Sequence, residues 1–151
     1  EINSNNADAY YERGNAKNQL EDFYGALEDY NKAINIERHP AYLNNRSFVN
    51  SKVGNFKNAI KDATEAINKK LDFSMAYMNR ARAYSMLNEN NQAIEDFTEV
   101  LRLDDNNITA LVSRAIIYQK INRLDLACKD WDIASNLGVE QAKYSHKTYC
   151  E

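Results

Sequence analysis

An arginine recurs along this chain at an almost constant interval of 33 or 34 residues. The four copies are Arg13, Arg46, Arg80 and Arg114, and each is flanked by large apolar residues at helical spacing. A period of this size predicts an array of similar supersecondary units. No single unit of this kind can bury its own apolar surface, so the units must stack on one another to form a core.

The composition indicates that these units are helical. The chain of 151 residues contains only four glycines and one proline, which favours helices joined by short connections over sheets. The formal net charge of −3 gives no electrostatic reason to expect nucleic acid as a partner. No apolar run approaches the roughly 18 residues that a membrane span needs, so we expect none.

Aligning the four arginines also aligns the rest of each unit. Each Arg is followed directly by a small residue, and thirteen residues after each Arg there is an alanine. Two helices of about 13–15 residues could approach closely where these small side chains meet. In chain order, the small residues are Gly14, Ser47, Ala81 and Ala115, and the alanines are Ala26, Ala59, Ala93 and Ala127.

The order of small and aromatic residues in the two helices resembles the tetratricopeptide repeat. Tyr84 and Tyr118 stand at the aromatic position of the first helix, and Tyr30, Phe97 and Trp131 at that of the second. The resemblance implies an all-α fold in which helical hairpins stack into a right-handed superhelical solenoid. The chain departs from the aromatic pattern at Lys17, Asn50 and Ala63, and lacks the family's closing proline in every unit.

The repeat predicts how the chain is divided. Residues 7–139 form four units, and residues 1–6 are similar to the end of a preceding repeat. Residues 140–151 are expected to form a C-terminal capping helix, as arrays of this family usually have. The four units are 7–39, 40–73, 74–107 and 108–139.

Every one of the recurring arginines has an aspartate sixteen residues later. This spacing predicts partly buried ion pairs between the two helices of each hairpin. The alternative is that the four arginines line a ligand groove. The predicted pairs are Arg13–Asp29, Arg46–Asp62, Arg80–Asp96 and Arg114–Asp130.

The two cysteines lie on either side of Gly138, with Cys128 ten residues before it and Cys150 twelve residues after it. A helical hairpin that turns at this glycine would bring them close enough for a disulfide. A disulfide would indicate an oxidising compartment, such as a bacterial periplasm or surface. Alternatively, Cys128 is a free core cysteine, because the other units have leucine or isoleucine at its position, and a cytoplasmic location then stays open.

The residues that usually carry catalysis are nearly absent. Only two histidines, His39 and His146, occur in the chain, and neither has a carboxylate spacing that resembles a metal site. There is no glycine-rich phosphate loop and no convergent set of acid, base and nucleophile. We therefore predict a protein that is not an enzyme and that needs no metal and no cofactor.

The family resemblance implies a concave groove that is lined by the first helices and holds an extended peptide. Amides such as Asn45 and Asn79 can bind a peptide backbone without selecting its side chains. Met75 and Met78 would provide an adaptable apolar floor. The candidate groove residues are Tyr11, Asn15, Asn44, Asn45, Phe48, Met75, Met78, Asn79, Arg82, Val112, Ser113 and Ile116.

Some members of the family bind the acidic C-terminus of cytosolic chaperones through a clamp of cations and two asparagines. Asn15 and Asn45 match those asparagines, whereas Tyr11, Met75 and Asn79 stand where the cations belong. Without these charges the clamp has no electrostatic basis, so we do not expect an acidic chaperone tail as the ligand.

Two functional hypotheses remain open at this point. The first is a module that binds a protein or peptide partner in its groove. The second is a structural scaffold, or an array that associates with itself, using its N-terminal flank or its outer helices. Substitutions in the groove would impair the first function, and substitutions on the second helices or the flank would impair the other.

Overall fold

The computed structural model describes residues 6–151, and every regular element in this range is an α-helix. The segment assigned above to the end of a preceding repeat lies outside the described residues, apart from Asn6. Eight helices of 13 or 14 residues are followed by one of 10 residues. In chain order they are α1 (Ala7–Gln19), α2 (Phe23–Ile36), α3 (Pro40–Lys52), α4 (Phe56–Lys69), α5 (Ser74–Met86), α6 (Asn90–Leu103), α7 (Ile108–Lys120), α8 (Leu124–Asn136) and α9 (Glu140–Tyr149).

The helices belong to two compact units, which divide between Ala83 and Tyr84, inside α5. In the first unit α1 packs on α2, α2 on α3, and α3 on α4. Its core contains Tyr30, Leu43 and Val49. In the second unit α6 packs on α7, α7 on α8, and α8 on α9. The fold is all-α and consists of repeated helical hairpins.

Each hairpin turns eight residues after its arginine, at a residue with a left-handed backbone. Glu21, Asn88 and Asn122 have φ of 60°, 61° and 59°, and Gly54 has φ of 82°. Only Gly54 has no side chain to oppose this conformation, whereas Asn adopts it more readily than most residues. The turn at Gly138, with φ of 90°, joins α8 to α9, as its C-cap position in the sequence predicts.

In the first, second and fourth hairpins, the small residues of the repeat lie where the two helices meet. Ala26, Ala59, Ala93 and Ala127 are all fully buried. Gly14 allows the closest approach, because a Cβ atom at that position would lie 2.7 Å from Cε1 of the buried Tyr30 ring. Close contact at these positions explains why a small residue recurs in each unit.

Arg13, Arg46 and Arg114 hold buried carboxylates. Arg13 donates two hydrogen bonds to Asp29, from Nε at 2.7 Å and from a terminal nitrogen at 2.5 Å. Arg46 donates in the same bidentate way to Asp62, and Arg114 to Asp130, each over 2.7–2.8 Å. These three aspartates are at most 4% exposed. Burying a carboxylate costs much free energy unless its charge is paired, and the guanidinium group of the arginine supplies that partner.

One terminal nitrogen of Arg46, of Arg80 and of Arg114 contacts the preceding hairpin. Arg46 donates to Asn31 Oδ1 over 2.7 Å, and Arg80 donates to Thr64 Oγ1 over 3.0 Å. Within the second unit Arg114 donates to Thr98 Oγ1 over 2.9 Å. These three acceptors stand two residues after the aspartates of the first three repeats. Each of these arginines thus connects two successive hairpins, a contact that the repeat pattern does not predict.

The same contacts account for two departures from the aromatic pattern. Lys17 places its Nζ 2.9 Å from Asp29 Oδ2, and Asn50 donates to Asp62 Oδ2 over 3.1 Å. In the fourth repeat Tyr118 keeps the aromatic position, and the Arg114 guanidinium lies 5.8 Å from its ring centroid. A polar side chain at this position therefore gives the buried aspartate a second partner.

Gly14→Ala tests the close contact in the first hairpin. We expect the free energy of unfolding to fall by about 1–3 kcal/mol because the new methyl group overlaps the Tyr30 ring. This cost should exceed the gain of roughly 1 kcal/mol that alanine brings to a helix. Urea unfolding measures the change. In a Tyr30→Leu background the substitution should cost less, and an equal cost would contradict the proposed overlap.

Asp29→Asn tests the buried ion pair. Hydrogen bonding from Arg13 lowers the pKa of Asp29 below its usual 3.8. The charged pair therefore stabilises the fold above that pH, and the stabilisation is lost as the pH falls through the lower pKa of the folded state. We expect the variant to be less stable by about 2 kcal/mol at neutral pH. The deficit should shrink in urea titrations below about pH 4.

The exposed Asp105 supplies the control for this experiment. Asp105→Asn should change the free energy of unfolding by no more than about 0.5 kcal/mol at any of these pH values. A deficit of Asp29→Asn that stays constant as the pH falls would show that the ionised carboxylate is not the source of the stabilisation.

Candidate functional site

The twelve predicted groove residues are divided between the two units. Nine of them, from Tyr11 to Arg82, lie in the first unit, and Val112, Ser113 and Ile116 lie in the second. The two surfaces differ in chemical character. In the first unit the side chains form a network of amides beside an apolar patch, and in the second they border an apolar cavity.

In the first unit, asparagine side chains form a chain of hydrogen bonds across three helices. Asn79 of α5 donates through Nδ2 to Asn44 Oδ1 on α3 over 2.9 Å. Asn44 donates to Asn45 Oδ1 over 3.2 Å, and Asn45 donates to Asn15 Oδ1 on α1 over 2.9 Å. Tyr30 completes the chain, because its hydroxyl donates to Asn15 Oδ1 over 2.8 Å.

This network corrects the prediction that Asn44 and Asn79 line an open groove. They are 2% and 7% exposed, and Asn79 donates in addition to the main-chain oxygen of Asn44 over 3.4 Å. Positions one and two residues before the arginine face the neighbouring first helix, so their amides satisfy each other. Asn15 and Asn45 are half-buried and keep part of their surface accessible.

Tyr11 is also partly enclosed, in a cluster of tyrosine rings. Its ring centroid lies 4.7 Å from that of Tyr42 and 6.0 Å from that of Tyr30. Its hydroxyl accepts a hydrogen bond from Asn45 over 3.1 Å, and Tyr42 donates to Asp8. Burial raises the pKa of Tyr30 to about 12 and also raises that of Tyr42. Both phenols therefore remain protonated donors at neutral pH.

The other predicted residues of the first unit leave an accessible apolar patch. Met75 is 62% exposed, and Phe48 and Met78 are half-buried. The Nζ of Lys52 lies 5.3 Å from the centroid of the Phe48 ring, and Arg82 is exposed. These side chains can contact a ligand, because the amide network does not cover them.

The second unit contains a cavity of 260 Å³ between α7, α8 and α9. Of the predicted residues, Val112 and Ile116 line it, whereas Ser113 is half-buried outside the lining. The remaining lining residues were not predicted as site residues, although Ala142 and Tyr149 share one face of α9 and Trp131 occupies a repeat aromatic position. They are Gln119, Trp131, Gln141, Ala142, Tyr144, Ser145 and Tyr149.

None of the nine lining side chains carries a charge. The rings of Trp131 and Tyr149 lie stacked, with centroids 5.7 Å apart. Trp131 is only 2% exposed, whereas Ile116, Tyr144 and Tyr149 are 55%, 67% and 50% exposed around it. An aromatic and aliphatic lining of this kind favours an uncharged apolar group, because a charged one would lose its hydration without a partner.

Cys128 and Cys150 form a disulfide that joins α8 to the residue after α9. Their Cα atoms are 5.8 Å apart and they are separated by 22 residues in the sequence. Of the two possibilities left open by the spacing, the structure contains the bonded form. Closing a loop of this length stabilises a fold by about 3 kcal/mol in the chain-entropy account.

A larger cavity of 420 Å³ in the first unit is polar. Three cations line it, Arg38, Arg46 and Lys61, and both arginines are already paired. Arg38 donates to Glu65, with Nε 2.6 Å from Oε1, and Arg46 holds Asp62. The charges of the two arginines are therefore compensated and do not favour the binding of an anion.

No helix among residues 6–151 has both the length and the apolar character needed to cross a membrane.

Two family models, both described as "Tetratricopeptide repeat", match residues 7–40 and residues 74–107 respectively. The chain is a tetratricopeptide repeat protein. The matched segments contain the first and third of the four hairpins, and α9 follows the fourth.

Similar proteins share this architecture. Human tetratricopeptide repeat protein 6 is 32% identical over 66 residues, which are 44% of this chain and 13% of that protein. YrrB, a tetratricopeptide repeat protein with an unusual peptide-binding site, superposes with a TM-score of 0.85 at 19% identity, over 96% of this chain and 76% of its own. The first tetratricopeptide repeat domain of Spaghetti (RPAP3), bound to the HSP90 peptide SRMEEVD, superposes with a TM-score of 0.75 at 24% identity, over 80% of this chain and 99% of its own.

Asn79→Ala tests whether the amide network is structural. The substitution leaves the buried Asn44 Oδ1 without its donor from α5, so we expect the free energy of unfolding to fall by about 1–3 kcal/mol. Asn91→Ala, at an exposed position of α6, should change it by less than about 0.5 kcal/mol. Equal effects of the two substitutions in urea unfolding would show that the network adds nothing to stability.

Proposed function

We propose that this tetratricopeptide repeat protein is a non-enzymatic interaction module whose first helices bind an extended segment of a partner protein. The observation that carries the proposal is the cavity of the second unit. Two predicted groove residues, Val112 and Ile116, border it together with three aromatic side chains. Concave, mostly apolar cavities with a few polar groups are the usual form of a binding site.

The polar groups around this cavity suit a peptide backbone. Gln119, Gln141 and Ser145 line it and can both donate and accept hydrogen bonds. An extended peptide presents N–H and C=O groups along its length and an apolar side chain at alternate positions. The proposed ligand places one such side chain against Trp131 and its backbone against the neutral polar groups.

Similar folds support peptide binding in general terms. YrrB is described as having an unusual peptide-binding site, and the RPAP3 domain is seen bound to the peptide SRMEEVD. The acidic character of that peptide does not transfer to this chain. Tyr11 and Met75 stand where a carboxylate clamp would have cations, and the cavity of the second unit is uncharged. We therefore propose a partner segment without acidic anchor residues.

The disulfide bears on where the protein works. Disulfides persist in oxidising compartments and are rare where thiols are kept reduced. The Cys128–Cys150 bond therefore supports a periplasmic, exported or otherwise oxidising location over the cytoplasm.

The alternative function, a scaffold or an array that associates with itself, has one specific observation in its favour. Leu20 and Tyr24, at the turn between α1 and α2, are 81% and 74% exposed. Large apolar residues so close together on a surface can take part in a protein contact. This surface lies in the first unit and uses neither the amide network nor the apolar cavity.

Ile116→Lys distinguishes these functions. A peptide is first selected on the oxidised protein from a phage-displayed library of random dodecapeptides, and its affinity is then measured by fluorescence anisotropy. We expect the substitution to weaken binding by about 30-fold or more, because a charge replaces an apolar group at the edge of the cavity. The matched control is Ile133→Lys, on α8, where the isoleucine is 42% exposed and does not line the cavity.

The control should bind as the wild type does. Failure to select any peptide, or a loss of binding in Ile133→Lys but not in Ile116→Lys, would contradict the proposal. Sedimentation of the wild type and of Leu20→Lys then tests the alternative, since self-association through the exposed turn would be lost in that variant.

A further inference from the structure

One wall of the cavity in the second unit is supplied by α9. Gln141, Ala142, Tyr144, Ser145 and Tyr149 all belong to this helix and make up five of the nine lining residues. The opposite walls come from α7 and from Trp131 of α8. The cavity therefore exists only while α9 lies against the fourth hairpin.

Few interactions within α9 itself hold it in this place. Ala142 is its one buried residue, and Tyr144 and Tyr149 are at least half exposed. Val139 at the N-cap has no side-chain acceptor to offer the first turn. A helix of ten residues is also too short to be stable alone in water. The position of α9 must therefore be fixed from outside the helix.

Two attachments fix it, one at each end. At the start, α9 is joined to α8 through the turn at Gly138. At the end, Cys150 is the C-cap residue and is bonded to Cys128 of α8. The stack of Tyr149 on Trp131 lies next to this bond along the chain. Without the disulfide, α9 would be restrained by the covalent turn, the buried Ala142, the partly buried Val139 and the stack of Tyr149 on Trp131.

The position of Cys128 adds a second observation. The other repeats have Leu27, Ile60 and Ile94 at this place, and Leu27 packs on the core of the first unit. In the fourth repeat the same position carries the residue that tethers the capping helix. The core contact and the attachment of α9 are thus combined in one side chain.

We propose that the Cys128–Cys150 disulfide is a redox-sensitive latch that keeps α9 in place as one wall of the peptide cavity. In the oxidised protein, α9 completes the cavity and the ligand can bind. In the reduced protein, α9 leaves the fourth hairpin, Trp131 becomes exposed, and the affinity for the ligand falls. This inference rests on the proposed function for its ligand, but the movement of α9 can be tested without one.

The chemistry is a thiol–disulfide exchange with a dithiol reductant. A thiolate of the dithiol attacks one sulfur of the protein disulfide, and the other cysteine leaves as a thiolate and takes up a proton. The second thiol of the reductant then displaces the first cysteine and forms a cyclic disulfide. The S–S bond of the protein is broken, two electrons pass to it from the dithiol, and Cys128 and Cys150 end as thiols.

The movement of α9 is tested first, with no ligand present. Trp131 is the one tryptophan of the chain, so its fluorescence reports directly on the cavity. On reduction with dithiothreitol, we expect its emission to shift to longer wavelength and acrylamide to quench it more strongly. Trypsin should cleave after Lys143 and Lys147 of α9 about tenfold faster, as expected for local opening. Reoxidation should reverse these changes.

The double variant Cys128→Ala/Cys150→Ala is the control for direct effects of the reductant. It should resemble the reduced wild type with or without dithiothreitol. Far-ultraviolet circular dichroism shows whether the hairpins are still folded. If the double variant does not fold, the reversible reduction of the wild type decides the question alone. Unchanged fluorescence and proteolysis after complete reduction, verified by thiol titration, would overturn the latch.

Ligand binding is tested separately, with the selected dodecapeptide as the probe. We expect reduction of the wild type to weaken binding by about tenfold or more, as follows when the competent state becomes a minor one. Equal affinity in both redox states would overturn the latch while leaving the proposed function intact. An oxidised protein that binds no peptide, but exposes Trp131 on reduction, would overturn the proposed function and support the movement of α9.

Discussion

The structure depends on aspartates that are buried between helices and held by arginines. The apolar core supplies most of the folding free energy, and a buried ion pair by itself is weak evidence for stability. Here the ion pair fixes the register of the two helices, because a bidentate pair such as Arg46–Asp62 forms only at one alignment of them. The bond from Arg46 to Asn31 extends the same requirement to the preceding hairpin. The same arrangement explains why Lys17 and Asn50 are polar, because each contacts the buried aspartate of its own hairpin.

Much of this organisation could be predicted from the sequence, because it repeats. The period of the arginines indicated hairpins, and the aligned small residues indicated where the helices touch. Features that depend on how one hairpin stacks on the next could not be predicted. Asn44 and Asn79 were expected in a groove, but the helical period does not tell which first-helix positions face a neighbouring helix. The left-handed turn at Glu21 was missed for another reason, because no glycine marks it.

The candidate site could also be predicted only in part from the sequence. Val112 and Ile116 were found by their place in the repeat, whereas Tyr144 comes from a helix that follows the last repeat. The cavity combines residues from three helices, one of which is attached through the disulfide at Cys150. A binding surface built in this way joins a regular scaffold to one irregular element. The irregular element is a suitable place for control, because it follows the last hairpin and belongs to none of the four.

In the proposed function, the partner contacts the apolar cavity of the second unit. The most direct test is a nuclear magnetic resonance titration of the oxidised protein with the selected peptide, following the single indole N–H signal of Trp131. We expect this signal to shift together with main-chain signals of Val112, Ile116 and α9 residues. An unperturbed indole signal, with shifts confined to exposed second-helix residues such as Ile133, would contradict it.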